Sequence, residues 1–322
     1  MTELHIGKVR KKGGLSTIHK NTPDDLFIVC ASFEQRTTSA TECLAEDYRA
    51  KRGIIYYNSE FFPFGKTKEN LRIIEGILNQ RCKDLSNIEG SLNDAHKQFD
   101  VLRKAILECG LGEIQRVTID VTSFNREALL VLMALLRNNY PSALIRVLYV
   151  SPSAHGDWLS RGFREVRNVI GFPGVQRASR PTVLLALSGF EPDRVKKLID
   201  EHEPRLVLLG LGDPPTRKVF LGRNIEEQKT LLARQDVERF EFPANSINGC
   251  YLKLKEVLQK YINSYNIILA PMSTKLSTLG AYLAVEANPD IQLTCCIPGQ
   301  YNMDGYSVGE DLLFIEEILP IA

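Results

Sequence analysis

The 322-residue chain is 44% apolar and 25% charged, ordinary proportions for a folded protein with a sizeable core and not those of a disordered segment. Forty basic against thirty-nine acidic residues leave a net charge of +1, which excludes the global field expected of a protein that coats nucleic acid or an anionic membrane; any anion must be met by local groups. The first twenty residues lack the apolar segment of a signal peptide and no later run reaches the length of a membrane span, so the expected compartment is the cytoplasm and no membrane contact is expected.

In chain order, DLFIVCA (25–31) is a short apolar run bounded by turn residues and predicts a buried strand. A helix is expected through TSATECLAEDYRAK (38–51), then a strand at GIIYYN (53–58). TKENLRIIEGILNQRCKDL (67–85) and LNDAHKQFDVLRKAILECG (92–110) carry apolar residues at helical spacing and predict two long amphipathic helices, the second stopped by Gly110. IQRVTIDV (114–121) predicts a strand, REALLVLMALLRNNY (126–140) a helix apolar nearly all round, and LIRVLYVS (144–151) another strand. A Gly-, Pro- and Arg-rich stretch follows to residue 181. The alternation then restarts: TVLLALSGF, RLVLLGLG, VERFEF and YNIILAP read as strands, and EPDRVKKLIDEHEP, FLGRNIEEQKTLLARQD and INGCYLKLKEVLQKYIN as helices. After YNIILAP, the segment STKLSTLGAYLAVEANPDIQLTCCI predicts a further helix and strand. Such alternation predicts an α/β fold with mostly parallel sheets, arranged as two tandem lobes, 1–170 with a helical insertion and 171–322. The seven cysteines have no CxxC spacing and several lie in apolar runs, which predicts reduced core residues.

The two halves share residues in the same order. VCASFEQR matches ALSGFEPDR, pairing Phe33 with Phe190, Glu34 with Glu191 and Arg36 with Arg194. DVTSFNREALL matches APMSTKLSTLGAYLA, pairing Thr122 and Ser123 with Ser273 and Thr274, and Arg126 with Lys275. This pattern predicts an internal duplication about a pseudo-twofold axis, with a ligand expected in a crevice at the carboxyl ends of the strands, between the lobes.

A helix amino terminus attracts anions and disfavours cations, so Lys275 and Arg126 in first turns each cost roughly 0.3–1 kcal/mol that a bound phosphate would reverse. Ser273, Thr274, Thr122 and Ser123 either cap these helices and lend hydroxyls to an anion, or merely cap while Arg126 pairs with Glu127 or Asp120 and Lys275 snorkels to water. Glu34 with Arg36, and Glu191 with Arg194, either pair with one another and fix loops or contact a base or ribose. Arg217, Lys218 and Arg223 are candidate phosphate contacts. Loop aromatics (Phe61, Phe64, Trp158, Tyr301, Tyr306), with His155 and Asn302 beside them, either pack or stack on a base. Walker, GxGxxG, HExxH and GxSxG patterns are absent and no cofactor or metal is expected; a nuclease-like set of Asp213, Glu227 and Lys229 falls on what reads as an exposed helix.

At APMSTKLSTLGAYLA the sequence resembles the CARF class of Rossmann-like sensor domains, in which a strand leads through a Thr-Lys corner into a helix that binds cyclic oligonucleotides. DVTSFNREALL looks like a second, more divergent copy. A chain with two copies resembles the fused pseudodimer called SAVED, found in bacterial antiphage systems. The resemblance implies a cytoplasmic sensor or regulatory subunit of antiviral defence that binds a cyclic or linear oligonucleotide, or another phosphate-bearing small molecule. The corner residues would line the site and the loops 32–36 and 188–194 would form its other walls. A partner effector protein or ligand-driven self-assembly would carry the output. Two further readings follow from the same residues: an enzyme that cleaves or modifies the bound nucleotide, as ring nucleases of that class do, and a structural partner subunit of a defence complex.

Overall fold

The computed structural model describes residues 5–8, 23–63, 65–213 and 218–320. Its elements run β1 (His5–Lys8), β2 (Asp24–Ala31), α1 (Ser39–Glu42), β3 (Ala50–Asn58), α2 (Thr67–Leu78), β4 (Cys82–Gly90), α3 (Ala95–Leu107), β5 (Arg116–Asp120), α4 (Arg126–Asn139) and β6 (Leu144–Val150). Three short strands follow: β7 (Ala154–His155), β8 (Ser160–Arg161) and β9 (Glu165–Asn168). The second series is β10 (Thr182–Ser188), α5 (Pro192–His202), β11 (Leu206–Asp213), α6 (Lys218–Glu227), α7 (Lys229–Leu232), β12 (Val237–Pro243), α8 (Ile247–Leu258), β13 (Asn266–Pro271), α9 (Lys275–Ala287) and β14 (Gln292–Ile297). The chain ends through β15 (Gln300–Tyr301), β16 (Ser307–Val308) and β17 (Leu312–Ile318).

These elements form two mostly parallel sheets, each within its own Rossmann-like α/β unit. One unit comprises 1–157 with 303–322, the other 158–302. The first sheet has the order β1-β17-β6-β5-β2-β3-β4 and the second β12-β11-β10-β13-β14-β9. Counted along the chain within each unit, the five parallel strands stand in the same order, 3-2-1-4-5. Both sheets then add an antiparallel strand beside the fifth: β17 on β6, and β9 on β14. The division therefore differs from a cut after residue 170. The terminal strand β17, largely buried, belongs to the first sheet and β9, only half-buried, to the second; each covers the edge that the fifth parallel strand would leave open.

Apolar strands explain the two cores. Leu26 to Val29 and Leu184 to Leu187 are almost fully buried, as expected of parallel strands covered by helices on both faces. All seven cysteines are buried, and each keeps its thiol outside any disulfide. Among the described residues no helix is long and apolar enough to cross a membrane.

Two local expectations are corrected. The helix expected over 38–51 is a single turn, α1, preceded by a 3₁₀ turn at Gln35–Thr37. Thr37, Thr38, Ser39 and Thr41 crowd that segment, and such residues compete with helix for backbone hydrogen bonds. The expected helix over 67–85 stops at Leu78, and Cys82–Gly90 is an edge strand instead. Its polar residues face solvent, so it lacks the apolar run that marks the interior strands.

Gly90, at the end of that edge strand, admits the Tyr56 ring: a Cβ there would lie 2.1 Å from the phenolic oxygen. Tyr56 is fully buried, and its hydroxyl donates to Gln98 Oε1 at 3.0 Å and accepts from Asn58 at 3.2 Å. Gly90→Ala is therefore expected to displace the ring and destabilise the protein by about 1–3 kcal/mol, as overpacking does. Urea unfolding followed by circular dichroism checks this, with Gly112→Ala, where nothing lies within 4 Å of the added Cβ, as the neutral control.

Candidate functional site

In each unit the strand order reverses between the first and fourth parallel strands, β2 and β5 in one, β10 and β13 in the other. Such switch points open a crevice beyond the strand carboxyl ends, where α/β folds bind ligands. The loops leaving these four strands carry most of the residues singled out by sequence.

After β2, Arg36 Nε donates to Glu34 Oε2 at 3.0 Å and Arg36 Nη1 donates to the carbonyl of Val150, the last residue of β6. After β10, Arg194 Nη1 donates to Glu191 Oε2 at 2.9 Å and Arg194 Nε to the carbonyl of Cys296 in β14 at 3.1 Å. Both pairs are withdrawn from water; the Arg36 and Glu34 side chains are 3% and 5% exposed. Although burial works against its charge, the adjacent Glu34 carboxylate and Tyr149 hold the Arg36 guanidinium above its ordinary range. Of the two roles considered for Glu34, Arg36, Glu191 and Arg194, these side chains make the ion pairs, and each arginine clamps the loop after the first strand to the end of the fifth.

The clamps have supports that sequence reading missed. Asn70 of α2 donates to the carbonyls of Ser32 at 2.8 Å and Glu34 at 3.1 Å, and Asn224 of α6 donates to that of Ser188 at 3.3 Å. Ser307 donates to Glu34 Oε2 at 2.6 Å, and Ser160 donates to Glu191 Oε1. A signal for the serines is present in the sequence: Ser160-Arg161-Gly162 and Ser307-Val308-Gly309 are both Ser-x-Gly, and both glycines adopt left-handed backbone, with φ of 61° and 62°.

The corners after the fourth strands meet these clamps. In the first unit the cap of α4 is Asn125, whose side chain accepts from the Ala128 N–H at 2.7 Å, and Arg126 is the first helical residue, half-buried. Thr122 and Ser123 do not cap. Thr122 Oγ1 accepts from the Val150 N–H at 3.0 Å, and Ser123 shares a hydrogen bond with Thr37. In the second unit Thr274 caps α9, accepting from the Ser277 N–H at 3.1 Å and donating to the Ala244 carbonyl. Lys275 is the first helical residue and only 8% exposed, so it does not snorkel into water. Arg126 and Lys275 thus occupy the same place, while the structural partner of Thr274 is Asn125 rather than Ser123. Ser273 is half-buried beside Gly212, where a Cβ would lie 3.0 Å from its hydroxyl. Gly189 lets the loop after β10 close on this corner, since a Cβ there would lie 2.9 Å from the Met272 carbonyl.

The α4 corner also holds Asp120, which the sequence offered only as a partner for Arg126. Asp120, the last residue of β5, is 1% exposed; its Oδ1 accepts from the Thr122 N–H at 3.0 Å and its Oδ2 has no hydrogen-bond partner among the described residues. Burial pushes its pKa up to about 6, against the lowering effects of Thr122 and the nearby Arg36 charge.

The remaining residues are spread more widely. Tyr301 lies in β15, opposite Ser160 of β8, and Asn302 donates to the Trp158 carbonyl at 2.9 Å. Trp158 carries the Arg161 guanidinium 4.3 Å from its ring centroid, and Arg223 lies 4.5 Å over Phe190. Phe61 packs against Phe33 at 4.9 Å, and Tyr306 against Phe33 at 5.8 Å, which makes them wall rather than open stacking platforms. Beside that wall, Glu34, Gln35, Lys66, Asp304 and Ser307 border a cleft of ≈ 180 Å³ in the first unit. Of the nuclease-like set, Glu227 pairs with Arg223, and Lys229 with Glu226. Arg217 and Phe64 lie outside the described residues.

No protein-family model and no curated protein matches the sequence. Solved structures do. A type III CRISPR defence DNA nuclease activated by cyclic oligoadenylate is similar over 90% of this chain and 68% of its own, at 10% identity and a TM-score of 0.50. Can2 from Sulfobacillus thermosulfidooxidans, solved with cyclic tetra-adenylate, is similar over 44% of this chain and 38% of its own, at 15% identity and a TM-score of 0.27. The first likeness is one of fold: it spans both α/β units.

Asp120 yields a pH-dependent prediction. A carboxyl whose folded pKa lies above its unfolded value binds its proton more tightly in the folded chain, so its stabilising contribution is complete below pH about 4 and is lost as pH rises through about 6. Asp120→Asn keeps an acceptor for the Thr122 N–H and removes the charge. It is expected to raise stability at pH 7.5 by up to about 3 kcal/mol, the gain fading towards pH 4. Denaturant midpoints across that range check it.

Proposed function

We propose that the chain is a sensor or regulatory subunit of antiviral defence that binds a cyclic oligonucleotide, or a similar phosphate-bearing ligand, at the strand carboxyl ends of its two units. The observation that carries this reading is the repeated corner: after the fourth strand of each unit a capped helix of thirteen or fourteen residues begins with a cation, Arg126 in α4 and Lys275 in α9. A cation at that end opposes the helix dipole, and an anion bound at each of these matching switch points offsets that cost whatever contacts the two side chains keep within the chain. Ser273 and Thr274 border one corner, and Thr122 and Ser123 brace the other. The fold likeness to a nuclease activated by cyclic oligoadenylate supports the ligand class, and an effector partner or ligand-driven self-assembly supplies the output.

Calorimetric titration with cyclic tetra-adenylate, other cyclic oligonucleotides and linear controls, followed by chromatography of the same samples, tests this reading. Saturable binding with intact ligand is expected. Loss of ligand assigns the chain to the nucleotide-cleaving class, and no binding to any of them sinks the reading. The double variant Arg126→Ala/Lys275→Ala is expected to weaken binding at least about a hundredfold, since two charge-assisted contacts are removed. Unchanged affinity in a folded double variant places the site elsewhere.

A further inference from the structure

The two sheets are completed by a reciprocal exchange of chain. After its fifth parallel strand, β6, the first half of the sequence passes through Ser160-Arg161-Gly162 and supplies β9, which pairs antiparallel with β14 of the second sheet. After β14, the second half passes through Ser307-Val308-Gly309 and supplies β17, which pairs antiparallel with β6 of the first sheet. Each unit therefore takes its five parallel strands from one half of the sequence and the antiparallel strand beside the fifth from the other.

The serine contacts gain their meaning from this exchange. Ser160 donates to Glu191 and Ser307 donates to Glu34, so the same Ser-x-Gly tripeptide, entering from the opposite half of the sequence, reaches the clamp glutamate in both units. One such contact could be incidental. Two, at the same step before the same antiparallel strand, form a built feature. In the first unit, Glu34 Oε2 takes both the Ser307 hydroxyl at 2.6 Å and the Arg36 guanidinium, with Nη2 at 2.8 Å. Charge-assisted hydrogen bonds of this length tolerate little displacement, so the loop after β2 and the segment leading into β17 cannot shift independently.

We propose that Ser160 and Ser307 are positioning residues that seat the clamp glutamates, and through them the loops after the first strands, so that a ligand held at those loops is registered in the crossing segments supplied by the opposite half of the sequence. The second part of this statement rests on the ligand reading above; the first does not.

Hydrogen exchange of the full chain, read by mass spectrometry on peptides covering 158–165 and 303–311, tests both parts. Without ligand, Ser307→Ala is expected to speed exchange at 306–309 about tenfold and leave 158–165 unchanged, Ser160→Ala to do the converse, and Ser307→Thr to restore the native rate. Arg36→Lys, which loosens the clamp without altering the crossing segment, is expected to speed exchange at 306–309 as well. If Arg36→Lys leaves that segment unchanged, or if Ser307→Thr fails to rescue, the positioning role is overturned whether or not any ligand binds. With cyclic tetra-adenylate, slower exchange is expected in both segments of the native chain and in neither segment of a Ser160→Ala/Ser307→Ala chain. Saturable binding with unchanged exchange overturns the coupling and leaves the binding reading standing. No binding overturns the binding reading and the coupling together, while the ligand-free rates still decide the role of the serines.

Discussion

A buried carboxylate–guanidinium pair governs the carboxyl end of each sheet. In both units the first and fifth parallel strands are not neighbours; the fourth lies between them. Arg36 and Arg194 bridge that gap, holding a glutamate of the loop after the first strand while donating to the carbonyl of Val150 or Cys296 at the end of the fifth. Taking two charges out of water is costly, and such a pair gains little over an apolar substitute, yet removing one partner costs on the order of 3–5 kcal/mol because the other is left buried and uncompensated. The pair therefore fixes geometry more than it adds net stability.

That geometry determines what the corners can do. Because the clamp passes over the fourth strand, the turn beyond that strand is enclosed by it. In the first unit, Thr122 is hydrogen-bonded to the end of β6 and Ser123 to Thr37, which lies one residue beyond Arg36. The amino terminus of α4 is consequently tied to the end of β6 and to the loop after β2, while that of α9 is tied through Thr274 to the Ala244 carbonyl beyond β12. On the proposed reading, a terminus held in this way spends less of the binding free energy on being ordered.

Much of this was legible in the sequence. Strands such as DLFIVCA and TVLLALS announce themselves because both faces are buried and the run is wholly apolar. Arg126 and Lys275 could be paired because a cation at a helix start violates an electrostatic preference, and violations stand out. The edge strand Cys82–Gly90 was hidden, since a strand with one edge and one face in solvent keeps no apolar run. Asn125 was passed over as a cap because Thr122 and Ser123 nearby are equally good hydrogen-bonding residues, and only the backbone decides where the helix starts. The exchange of β9 and β17 could not be seen at all. Sequence similarity pairs Glu34 with Glu191, but nothing in a linear comparison says that the serine meeting each glutamate comes from the opposite half. The raised pKa of Asp120 was likewise unreadable, because it comes from burial and not from any neighbour in sequence.

The central claim is that the two cationic corners receive the phosphates of one ligand class, and phosphorus NMR of cyclic tetra-adenylate titrated with the protein tests it most directly. The account predicts that the phosphate resonances of the ring shift on binding and that the shift is lost with the Arg126→Ala/Lys275→Ala chain. Phosphate resonances that stay unshifted while the base protons report saturable binding would contradict it.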